Sequence, residues 1–182
     1  VAAIALRTAS LASRRWRNYL VYVHGCASPT DEEWTRVLAH YGEAVALHPR
    51  ILILTMGGAP NAAQRARLSE AHGKSRPPMA VLTRSVVSRA AGTAYSWFNP
   101  RLKMFAPDQL DDALVHLGAT DEEAVELRAL VGELGVELGV ELGEALVEAL
   151  GKQPPAAGPG RRGARATPVD SGASHRPRAR RA

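Results

Sequence analysis

With 182 residues, 46% of them apolar, the chain is long enough for one ordinary domain with a real core and not comfortably for two. A single cysteine, Cys26, excludes an intramolecular disulfide and a cysteine-based zinc site, and fits a reducing, cytoplasmic setting. No apolar run approaches the about 18 residues needed to cross a bilayer, so the sequence predicts no membrane partner.

The net charge of +5 hides a block pattern. Residues 1–30 hold four arginines and no acid, and residues 31–107 hold ten bases and five acids. Residues 108–150 hold twelve acids and one base, and the last 32 residues hold eight bases and one acid.

The first residues, VAAIALRTASLASRRWR, are arginine- and serine-bearing and free of acid. That is the composition of an organelle transit peptide. It equally fits an upstream extension, since the leading Val is what a non-standard start codon would give. The extension is the preferred reading, with residues 1–18 disordered. The Ala/Arg/Gly/Pro bias suits a GC-rich bacterial gene.

The run YLVYVH at Tyr19–His24 reads as a strand. Thr30 with Glu33 three residues on is a capping box opening a helix. Its apolar stripe is Trp34, Val37, Leu38, Tyr41 and Val45. Ile51–Leu54 is apolar on successive residues, as a strand covered on both faces is. The stretch LTMGGAPNAAQR follows, with a helix predicted over Asn61–His72. Met79–Leu82 is a third strand, and a helix beginning at Ser85 runs to Asn99-Pro100. Leu102–Phe105 is a fourth strand, and Asp108–Leu117 a helix. Strands alternating with helices predict an α/β domain over residues 19–118, with a small, mainly parallel four-stranded sheet and helices on its faces.

Thr120 and Glu123 form another capping box, opening an acidic helix expected to continue to Leu150 within a region bounded as 119–150. Leucine recurs every four residues from Leu130 to Leu150, a period that drifts about 40° per step around a 3.6-residue helix. The glycine-rich repeat fits either slippage in a GC-rich gene or a self-associating helix over 121–150. Residues 151–182 are dominated by Gly, Pro, Ala and Arg and read as a disordered basic tail. No aromatic residue is interleaved with its arginines, so no specific nucleic-acid partner is predicted.

Complete chemical motifs are missing. The chain has no G-x-S-x-G to accompany His24-Gly25 as a hydrolase would require. Gly73-Lys74-Ser75 lacks the upstream glycine of a P-loop, because position 68 is Leu. His40, His48, His72 and His116 show no metal spacing, and no metal or other cofactor is assigned. His24 and Cys26 are two apart at a strand end and would form a thiolate-activating pair if the strand continued. Otherwise Cys26 is a small buried hydrophobe. Asn61 and Gln64 form an Asn-type capping box, and Gly57 and Gly58 permit a turn with positive φ. The same helix start, with Arg65 nearby, could hold an anion. The ligand or partner edge therefore comprises His24, Cys26, Thr55, Gly57, Gly58, Asn61, Arg65 and Ser85, with Thr83 beside them.

The alternation, the GGAPNAAQR turn and the ending SWFNPRLKMFAPDQLDDALVHL together resemble the SpoIIAA-like proteins, the STAS group of anti-sigma-factor antagonists. The resemblance covers residues 19–118. It implies a non-enzymatic regulatory module that docks a protein partner, with no metal. It also implies a phosphorylatable Ser, usually after an Asp, at the start of a helix after a central strand. The matching turn, Thr55-Met56-Gly57-Gly58, has no Asp-Ser pair and offers Thr55 alone, while Ser85 qualifies by position. The alternative function is a small-molecule or anion-binding domain, or a minor enzyme, at the same edge.

Overall fold

The computed structural model describes residues 5–45, 47, 49–72, 76–85, 99–140 and 144–151. They form an α/β fold on a six-stranded mixed sheet with β1 (Ala5–Arg7), β2 (Leu11–Trp16), β3 (Tyr19–His24), β4 (Arg50–Thr55), β5 (Met79–Thr83) and β6 (Leu102–Phe105) in sequential order. The four strands expected from sequence are β3 to β6, and they are parallel. Two corrections follow. The sheet has two further strands, joined antiparallel on the side of β3. Those strands lie within residues 1–18, the segment expected to be disordered.

The turns of the added strands carry no glycine and are held by side-chain contacts, some of them distant in sequence. β2 turns into β3 through Arg17-Asn18, and Arg17 takes a positive φ of 50°. Its guanidinium lies 4.5 Å from the centre of the Trp16 ring and 3.5 Å from Glu122. These contacts hold a left-handed residue that lacks glycine's freedom. The β1–β2 turn is built on Thr8, whose Oγ1 accepts from the Ser10 and Leu11 amides. Ser10 in turn donates through its amide and hydroxyl to Glu33, both at 3.0 Å. Burial pushes the Glu33 carboxyl up, but hydrogen bonds from Thr30, Thr8 and Ser10 outweigh it and bring its pKa down to about 2.

Helix α1 (Asp31–Val45) links β3 to β4, and α2 (Ala62–His72) links β4 to β5. Because these right-handed crossovers step the same way across the sheet, both helices fall on one face. Leu11, Leu20, Tyr22, Ile51 and Met79 meet Trp34, Val37, Tyr41 and Ala44 there. The opposite face would be bare without the C-terminal third of the chain. A 3-10 turn (Pro107–Gln109) leads into α3 (Leu110–His116), and α4 (Asp121–Leu138) follows. Leu110, Leu114, Leu127, Leu130 and Leu134 cover Val21, Val23, Leu52, Leu54 and Leu82. The described residues of 119–150 thus pack within this fold, and α4 is not an appended helix. The leucines expected to carry self-association include Leu130 and Leu134, which, with Leu127, are buried against the chain's own sheet.

The predicted capping box at Thr120 and Glu123 is present in both directions. The helix does not run on to Leu150. It stops at Gly139, a left-handed cap with φ of 67°, and α5 (Glu144–Gly151) begins afterwards. The charge blocks meet across this layer. Arg14 bonds Glu133 at 2.6 Å and also pairs with Glu137, and Arg17 reaches Glu122. Tyr19 donates its hydroxyl to Glu123 at 3.0 Å while accepting from Arg50 at 2.8 Å. The acid-free N-terminus and the acidic helix are therefore partners within one fold, though each exposed pair contributes only about 0–1 kcal/mol.

All but the first residue of the helix predicted from Ser85, and the basic tail after Gly151, lie outside the described residues. No helix among the described residues is long and apolar enough to cross a membrane.

Candidate functional site

Parallel register sets His24 beside Thr55 and Thr55 beside Thr83, one row across the ends of β3, β4 and β5. Opposed residues in parallel strands project from the same face, here the face under α1 and α2. The expected convergence on one edge is therefore real for these three. His24 and Thr83 are buried and Thr55 is half-buried, so the row is roofed, not open.

Cys26 is not part of that row. The strand ends at His24, and Gly25 turns away with its amide donating to the Ser10 carbonyl at 2.8 Å. Cys26 then stands exposed while His24 is 6% exposed. The alternation that would have paired them stops at Gly25, and no hydrogen bond joins them. Neither reading of the cysteine holds: it is neither the partner of His24 nor a buried hydrophobe.

The GGAPN turn is a closed knot of hydrogen bonds. Thr55 donates its hydroxyl to the Gly58 carbonyl at 2.6 Å and accepts from the Gly57 amide at 3.2 Å. The Gly58 amide donates to the Gly25 carbonyl at 2.9 Å. Gly57 needs its φ of 132°, whereas Gly58 is required for a different reason. A Cβ there would lie 2.2 Å from the Ala27 carbonyl oxygen.

The Asn61–Gln64 capping box forms as the spacing predicts, with reciprocal bonds of 2.9 and 3.0 Å. Gln64 does more than cap. Its amide nitrogen donates to the Pro29 carbonyl at 3.0 Å and to Asp31 at 2.8 Å, tying the start of α2 to the start of α1. The Trp34 indole donates to the Gln64 carbonyl at 2.7 Å. Spacing alone carries no signal for these contacts, which span more than 29 residues.

Arg65 folds back onto the turn and donates to the Pro60 carbonyl at 2.6 Å. Replacing it by Ala removes that partly exposed bond. The expected cost is about 0.5–1.5 kcal/mol, read as a shift in the urea midpoint at constant slope. A weakening of phosphate binding at constant stability would instead mark Arg65 as an anion ligand. Ser85 donates its amide to the Thr83 hydroxyl at 3.2 Å and sits just past the same edge.

Sequence reasoning misses a second histidine of interest. His40 Nε2 lies 3.0 Å from Ser13 Oγ in the core, and its ring meets Tyr22 edge-on. Burial lowers the His40 pKa, and Glu43 partly offsets this. Ser13 is 1% exposed, so no substrate reaches the pair, and it serves to lock β2 to α1. Among the described residues, His, Cys, Asp and Glu do not gather in threes around a common point.

Comparison with family models, with curated proteins and with solved structures returns no match to this chain.

Proposed function

We propose that the protein is a non-enzymatic regulatory module of the SpoIIAA-like, STAS type that docks a protein partner on its strand-end edge. The observation that carries this reading is the construction of that edge. Cys26, Ala27, Ser28, Gly57, Ala59 and Asn61 are exposed, small and uncharged. They are held rigid from beneath by the Gly58–Gly25 and Gln64–Pro29 bonds. An uncharged patch supported in this way suits a protein interface, whose core is depleted of charge and whose affinity rises when little ordering is left to binding. The polar groups of the turn satisfy one another, which favours a scaffold for contact over a reactive centre.

The test uses the purified chain to recover partners from lysate of its own source. The Ala27→Arg and Ala59→Arg variants should lose the recovered protein at least tenfold while keeping the wild-type melting temperature. Turnover of a model substrate by a wild-type protein that recovers no partner would overturn the reading in favour of an enzyme.

A further inference from the structure

The side of α4 turned from the sheet carries Glu122, Val125, Glu126, Ala129, Glu133 and Val136, all exposed. Helical spacing sets them in one stripe along about 20 Å of the helix. Val115, Val125, Val136 and Val147 are four of the five large apolar side chains exposed among the described residues, so apolar exposure is concentrated on α3, α4 and α5.

The same layer is acidic. Residues 108–150 hold twelve acids and one base, Arg128, which is buried and donates to Asp111 at 2.5 Å. Arg14 and Arg17 pair with Glu133, Glu137 and Glu122. Asp108, Asp112, Asp121 and Glu126 are exposed and make no ion pair among the described residues. An occupant that fits this face is therefore basic and able to cover valine. Arginine does both, since its aliphatic stem lies along apolar surface while its guanidinium reaches a carboxylate. A second copy of the face would set acid against acid.

The chain carries a segment of that chemistry. Residues 152–182 hold eight bases, seven of them arginine, and one acid. They follow directly on α5, which packs against the 3-10 turn, α3 and α4, so the segment starts from this layer. At 31 residues it can span up to about 100 Å, and length does not limit its reach. Tethering raises its effective concentration to about millimolar, where several individually weak pairs act together.

We propose that the outer face of α4, with the exposed acids of α3, binds residues 152–182 of the same chain in a salt-sensitive intramolecular contact. None of these residues belongs to the protein-docking edge, and the proposal does not rest on that reading.

The experiment places a nitroxide on the full chain through Ser174→Cys in a Cys26→Ser background and reads amide intensities by NMR. At low salt the amides of Val125, Glu126, Ala129 and Val136 should lose intensity at least twofold, while those of α1 keep theirs. At about 1 M salt, where the screening length falls to about 3 Å, the intensity should return. Glu126→Lys with Ala129→Lys, both at exposed positions, should remove most of the loss without changing the melting temperature. Intensity unchanged at low salt would overturn the proposal, as would a loss that persists at high salt or spreads equally over α1. Mixing nitroxide-bearing chains with isotope-labelled chains that lack the nitroxide tests for a second copy. The same loss in that mixture would place the contact between chains and refute the intramolecular one.

Discussion

Removal of residues 1–17 is expected to abolish the cooperative thermal transition. β2 supplies Leu11 and Ala12, both fully buried, to the two opposite layers of the core. Its loss would also strip β3 of a neighbour along all six residues, Tyr19 to His24. Those residues are buried throughout, so the new edge would present an apolar strand with unpaired amides and carbonyls to water. Leu11→Ala alone should cost about 2–5 kcal/mol as a core truncation. The whole hairpin exceeds that, and a small domain has only about 5–15 kcal/mol to lose. Circular dichroism melting of the truncated and full chains checks this. A midpoint within a few degrees of the full chain would show that β1 and β2 are dispensable, as the composition of the segment suggests.

Composition misleads on the hairpin for an identifiable reason. Hairpins announce themselves in sequence through Asn-Gly or Asp-Gly turns, and here the turn is Arg17-Asn18. Its left-handed residue is held by Trp16 and by the acids of α4, contacts more than 100 residues away in the second case. The strand LASRRW also lacks clean alternation, because its first three residues are all buried and Arg14 reaches across to the acidic helix. The segment therefore looks like a leader while its charges are matched to a distant block.

The helix after Thr120 is legible at its start and not along its length. Its cap follows from spacing alone. Its inward face is Ala124, Leu127, Val131, Leu134 and Leu138, with steps of three and four that make an ordinary buried stripe. Following leucine identity every four residues hides this stripe, since the sheet selects by side of the helix and not by residue type. Strands apolar on successive residues already demand two covering layers. The sequential crossovers supply one, so the second has to come from outside residues 19–106. At the site, Asn61 and Gln64 are readable because a cap is local. The burial of His24 and exposure of Cys26 are not, because alternation carries no further than the strand's last residue.

Gly58→Ala is the other change expected to have a large effect, and it separates two uses of glycine in one turn. The new Cβ would lie 2.2 Å from the Ala27 carbonyl oxygen and 2.7 Å from that of Gly25. Both are backbone atoms that no rotamer change can clear. Relief requires the β4–α2 turn to move off the β3–α1 turn, which breaks the Gly58–Gly25 bond and strains the Gln64 bridge to Pro29. The expected loss is about 3–5 kcal/mol, at the upper end for a single methyl group. Gly57→Ala meets open space and suffers only from its φ of 132°, so it should cost about 1–3 kcal/mol. Gly132→Ala, within α4 and with nothing within 4 Å, should raise stability by about 1 kcal/mol. Urea denaturation of the three variants gives the order directly. If Gly58→Ala were the mildest of the three, the close approach of the two turns would be wrong, and with it the rigid support of the docking edge.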